Sequence, residues 1–217
     1  MAELSFKLAS AQQKVNEFLQ KYQLFIGECQ IKVDPEVGEG TLATWQRPCV
    51  VVVKKPDVPE SVIAHELVHI LQQTLEVFAG YRWLYALLSE GLAEFIAQKL
   101  YPEHKIKHKL GRDLISVLYA LDKNIVKEII WLDNLKLAPQ DIDLLLASPN
   151  VHPYWKEIIE NEAEHLKRNI QRALQGKIDD PTFISLGEDL RAWKFLINPR
   201  FDSRRSEVQQ ILAEFFD

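Results

Sequence analysis

His65 and His69 stand four residues apart, with Glu66 directly after the first. On an α-helix that spacing stacks both imidazoles on one face, where both can ligate one metal ion. Zinc is the expected ion, because it accepts neutral imidazole nitrogen and carboxylate oxygen in a tetrahedral site. Glu66 is offset from the pair by one residue's rotation. Its carboxylate can therefore stand beside a water at the metal without ligating the metal, as a general base must. Glu90 follows His69 after 20 intervening residues, enough for one helix to end, a loop to turn and a second helix to return. Gly91 has no side chain, so two helices can approach closely enough there for a carboxylate to reach across. Glu94 lies one turn beyond Glu90 and is expected to accept the second N–H of a ligating histidine.

The element that must carry the two histidines spans 61–73. At about 100° per residue, His65, His69, Val62, Glu66, Gln72 and Gln73 share one arc and apolar residues fill the rest. Such a helix belongs in a core with its polar stripe facing a cavity. Burying two histidines and a glutamate without partners is costly, and a metal removes much of that cost.

His65-Glu66-x-x-His69 followed by Ser89-Glu90-Gly91-x-Ala93-Glu94 resembles the gluzincin metallopeptidases, the clan of thermolysin and the aminopeptidase N-like enzymes. The resemblance covers roughly residues 40 to 100. It implies His65, His69 and Glu90 as zinc ligands, Glu66 as the base that activates water, and Glu94 as the acid that braces a histidine. It also implies that an edge strand near the cleft, here Gly40 to Trp45, pairs with an extended substrate, although a structural hairpin fits those residues equally well. Clan exopeptidases fix the free amine with an acid, for which Glu36 or Glu39 is the candidate, so internal and terminal cleavage both stay open.

The rest of the composition narrows the setting. The chain has 217 residues, 47% hydrophobic and 26% charged, which suits an ordinary globular protein. A net charge of −5 argues against nucleic acid as partner. The opening Met-Ala-Glu-Leu-Ser-Phe-Lys lacks a basic region followed by an apolar run, and no stretch of apolar residues is long enough for a membrane span. Cys29 and Cys49 lack a metal-ligand spacing and read as buried free thiols. A cytoplasmic protein without disulfides follows, acting on a peptide or protein substrate.

The expected fold is α+β. A helix at 4–22 precedes strands at Leu24–Val33, Thr41–Trp45 and Cys49–Lys54. That small sheet packs on the buried motif helix, and a mainly helical C-terminal half follows. Helices are expected at 111–121, 125–135, 141–147, 154–174, 183–196 and 206–216. The expected division is a catalytic half at 1–100 and a helical subdomain at 101–217 forming the other cleft wall.

Peptide hydrolysis also needs a donor aimed at the developing oxyanion. His152 and Tyr154, in a loop before a long helix, offer both residue types that the resembling enzymes use; Tyr119 and Tyr85 are further candidates. His104 and His108 are four apart but interleaved with Lys105, Lys107 and Lys109, which reads as a solvated basic face. A chemically distinct alternative is a di-iron four-helix protein built on Glu66-x-x-His69 and Glu162-x-x-His165, with Glu17 and Glu94. A third is a catalytically inactive binding protein that keeps the fold.

Overall fold

The computed structural model describes residues 2–38, 42–46, 48–72, 83–177 and 181–217, with backbone alone at 181–185. Their architecture is α+β, a three-stranded sheet near the N-terminus with helices before and after it. Contacts within the chain divide these residues into two compact units. The first holds those up to 72 together with Leu88–Ile130, and the second holds 83–87 with Trp131–Asp217. Residues 101–130, expected in the helical subdomain, thus belong with the motif helix.

In the first unit, α1 (Ala2–Gln20) buries Leu4, Leu8, Ala11, Val15 and Leu19, one stripe at helical spacing. That stripe lies on α2 (Glu60–Gln72), the motif helix. The sheet has the order β1-β3-β2, with β1 at Gln30–Val33, β2 at Ala43–Gln46 and β3 at Val50–Val53. Central β3 consists of four valines, all buried, as its β-branched run predicts. It pairs parallel with β1, Gln30 opposite Val50, and antiparallel with β2, Ala43 opposite Val53. β2 is therefore an edge strand, and it packs on α2.

Two expectations in this unit fail for physical reasons. The strand expected from Leu24 begins only at Gln30, because side chains of α1 take the preceding backbone. Asn16 Oδ1 accepts the Ile26 N–H at 2.8 Å, and its Nδ2 donates to the Ile26 carbonyl at 3.0 Å. Gln12 Nε2 adds a bond to the Gly27 carbonyl at 2.5 Å. The second failure is the disulfide-free scaffold, since Cys29 and Cys49 are joined. The β1–β3 register sets Gln30 beside Val50, which brings the two preceding residues to a Cα separation of 4.8 Å. Closing a loop of that length contributes about 3 kcal/mol on the chain-entropy account.

α3 (Leu84–Leu100) is followed by a loop and by α4 (Lys109–Leu121) and α5 (Ile125–Ile130). The helix expected at 125–135 stops at Ile130, and a 3-10 turn takes Leu132–Asn134. In the second unit α6 (Gln140–Ala147), α7 (Pro153–Leu174), α8 (Pro181–Leu196) and α9 (Arg205–Phe216) fall where the sequence placed them. Fully buried Asp189 there accepts the Tyr85 backbone N–H at 2.9 Å, within the first turn of α3. Among the described residues, no helix is long and apolar enough to cross a membrane.

Gly91 allows a close approach, as expected, and the neighbour is Gly111 in α4. A Cβ at Gly91 would overlap the Gly111 carbonyl carbon and oxygen. Alanine improves helix propensity by about 1 kcal/mol, whereas overlap with immovable backbone costs about 3 kcal/mol or more. Gly91→Ala is therefore expected to lose about 2 kcal/mol or more of stability. Urea denaturation checks this, and an unchanged or raised midpoint would refute the α3–α4 contact.

Candidate functional site

The motif helix is apolar around most of its circumference, and its polar stripe faces a cavity of about 1340 Å³. His65, Glu66 and His69 line it from α2, and Glu90 and Glu94 from α3. All its lining residues lie between Lys14 and His108, within the first unit.

Three donor atoms converge there. His65 Nε2 and His69 Nε2 are 3.0 Å apart, and each is 3.3 Å from Glu90 Oε2. A tetrahedral ion with bonds of about 2.0–2.1 Å requires ligand–ligand edges of about 3.3 Å. The donor set, two imidazoles and one carboxylate, is also one zinc accepts.

The protonation of His69 is fixed by its neighbours. Gln72 Nε2 donates to the Ser89 carbonyl at 3.1 Å, which orients the amide. Gln72 Oε1 is then left to accept from the Ser89 hydroxyl at 3.0 Å and from His69 Nδ1–H at 2.9 Å. In neutral His69 the proton is on Nδ1, so Nε2 presents a bare lone pair to Glu90 and to His65 Nε2. Three lone-pair atoms at such separations repel unless a cation or a proton joins them.

The titration shifts agree. Burial pushes the His69 imidazole down, but the hydrogen bond and charge of Glu90, with Glu66 and Gln72, raise it to about 9. Burial pushes the Glu90 carboxyl up, yet hydrogen bonds from His65 and His69 hold it far below the ordinary carboxylate range. Glu66 is nine-tenths buried, and burial raises its carboxyl against the opposing pull of His65 and His69. Among the described residues its side chain makes no hydrogen bond, and it lines the cavity.

Glu94 is occupied differently from the expectation. Its Oε2 accepts from His104 Nε2 at 2.8 Å, and its Oε1 accepts the backbone N–H groups of Lys107 at 2.9 Å and His108 at 3.1 Å. Burial pushes its carboxyl up, but the His104 and backbone bonds bring it down to about 2. Gln72, three residues after His69, is the group that braces a motif histidine; its place on the helix's polar arc was the available signal. His65, Glu94 and His104 also offer atoms close enough to hold an ion.

The basic face expected at His104 and His108 is solvated at His108, Lys105, Lys107 and Lys109, but not at His104. Residues 101–108 form a loop, so four-residue spacing does not place them side by side. The His104 side chain is only 6% exposed. His108 Nε2 lies 3.4 Å from Glu90 Oε2, the oxygen that both motif histidines face.

Edge strand β2 aside, the remaining candidates among the described residues do not line this cavity. His152 and Tyr154 are in the second unit, at the start of α7. His152 Nδ1 accepts the Tyr154 N–H at 3.3 Å, and its ring stacks on Phe216. These are helix-capping and packing roles. Tyr119 bonds Tyr22, and buried Tyr85 faces Asp133. Glu162 and His165 are exposed on α7, and Glu17 is exposed on α1. Glu36 is exposed with its N–H on Asp34 Oδ1. Glu39, Gly40 and Thr41 lie outside the described residues, but Leu42 to Trp45 line the cavity along edge strand β2.

No protein-family model, curated protein or solved structure matches this chain. Its site therefore stands on its own geometry.

That geometry sets the pH response of the metal-free chain. The folded His69 value of about 9 exceeds its ordinary 6.5, so its stabilising contribution is complete below pH 6.5 and fades as pH rises through about 9. Glu90, held low, acts in the opposite sense and loses its contribution only in acid. With chelator present, the urea midpoint is expected to fall between about pH 6.5 and about pH 9. The decline should be smaller in His69→Gln. Equal slopes in the two proteins would contradict the assignment.

Proposed function

We propose that this chain is a gluzincin-type metallopeptidase that hydrolyses peptide bonds at a zinc ion held by His65, His69 and Glu90. The observation that carries the reading is the donor triangle, with edges of 3.0 to 3.3 Å, beside buried, unpaired Glu66. Zinc bound there would supply a Lewis acid for the scissile carbonyl and would acidify a water.

The chain's own residues do the rest. The raised Glu66 carboxyl accepts a proton from the attacking water and delivers it to the leaving amine. Edge strand β2 offers unpaired main-chain groups to an extended peptide in the same cavity. His108 takes the role sought earlier in His152 and Tyr154. It lines the cavity, its backbone is fixed on Glu94, and its ring nitrogen lies beside the Glu90 oxygen. From there it donates to the negative charge developing on the carbonyl oxygen.

Glu66→Gln is expected to lower kcat by about 10²- to 10⁴-fold while metal analysis still finds one zinc per chain. A wild type that retains zinc and cleaves no peptide would leave an inactive binding protein instead, and two irons per chain would favour the di-iron alternative. A separate pair of variants tests the donor. His108→Ala should lower kcat by about 10²-fold with little change in KM, and His152→Ala should match the parent. The reverse pattern would return the role to the second unit.

A further inference from the structure

The loop at 101–108 carries two lysines, Lys105 and Lys107, the second of which also acts on Glu66 through its charge. Its backbone is fixed at the end that meets α4, where Glu94 accepts the N–H groups of Lys107 and His108, and at its start the Tyr101 side chain donates to Glu60. Lys105 and Lys107 are exposed, line the cavity, and make no ion pair among the described residues. The other lining lysine, Lys14, is paired with Glu60 at 3.6 Å. Three of the cavity's carboxylates are likewise engaged, Glu60 by Lys14 and Tyr101, Glu90 by the histidines and Glu94 by His104 and the loop, while Glu66 makes no ion pair among the described residues. Glu103, the loop's own acid, pairs with neither lysine. Two ammonium groups without an ion pair among the described residues thus stand on a loop anchored through Glu94, at the wall of the cavity that holds the donor triangle.

We propose that Lys105 and Lys107 form a subsite that receives a substrate carboxylate, carried either by an acidic side chain or by a free C-terminus. The subsite rests on the peptidase reading for its occupant, and on the loop geometry for its existence. An ammonium group at a solvated cavity wall adds roughly one- to fivefold in affinity per contact.

The test uses labelled peptides in matched pairs, one pair differing as Glu or Gln and the other as C-terminal acid or amide. Binding to zinc-loaded Glu66→Gln is read by fluorescence anisotropy, and cleavage by the wild type is followed in parallel. One carboxylate-bearing peptide should bind about five- to tenfold tighter than its neutral twin at low ionic strength. That ratio should approach one when Lys105→Gln and Lys107→Gln are introduced together, and also at about 0.5 M salt. Comparing twins on the same variant cancels any effect of the lysines on Glu66. The pair that shows the ratio identifies the carboxylate's source. Ratios near one in both pairs, or ratios that survive loss of both lysines, would overturn the subsite. Cleavage without charge preference would overturn the subsite and leave the hydrolase standing. Lysine-dependent binding without cleavage of any peptide would do the opposite.

Discussion

Two imidazole nitrogens and one carboxylate oxygen, all lone-pair atoms, stand within 3.3 Å of one another at the wall of a cavity. Without a proton or a cation between them they repel, and the surrounding low dielectric strengthens that repulsion. The protein assembles them nevertheless, and much of the first unit serves to hold them in place. Gln72 and Ser89 lock the His69 ring with its Nδ1 proton pointing away from the triangle. This bracing keeps the neutral imidazole in one tautomer. The same contact joins α2 to α3, the two helices that supply the donors.

Support continues outward from α3. Gly91, next to Glu90, meets Gly111 of α4 at backbone distance. The loop between those helices is then short and must turn back over Glu94, whose carboxylate receives one imidazole and two backbone N–H groups. A buried carboxylate satisfied in this way is a fixed post. It places His108 and the two unpaired lysines at the cavity wall, and so joins the proposed chemistry to the proposed recognition. Edge strand β2 lines the same cavity, and the Cys29–Cys49 disulfide ties β1 to the central strand behind it.

Periodicity made most of this legible. The motif helix, the α1 stripe, the four valines of β3 and the helices of the second unit all declare themselves by spacing, because burial of one face imposes a repeat on the chain. His65, Glu66 and His69 were identifiable for the same reason, since a helical repeat at 65 and 69 sets two imidazoles on one face, and Glu90 stood out by its spacing and its neighbour Gly91. The readings that failed depended on contacts between residues far apart in the chain. The 24–29 segment has strand-like composition, but Asn16 and Gln12 satisfy its backbone before a strand can. His104 was judged by the lysines beside it in sequence, and its burial against Glu94 is a contact made across the unit. Gln72 was visible on the polar arc, yet nothing local marks it as the partner of His69 rather than a solvated amide.

The sequence by itself determined which residue types recur at which interval, and hence the α+β composition, the buried helix and the two imidazoles on one of its faces. These are properties of a few consecutive turns, where backbone geometry alone sets the neighbours. Only the tertiary structure decided that Glu90 meets both histidines, that Glu94 receives His104 and anchors a loop, and that two cysteines separated by 20 positions are bonded. Such pairings depend on how helices and strands dock, and docking is fixed by the summed packing of the whole unit rather than by any stretch of it.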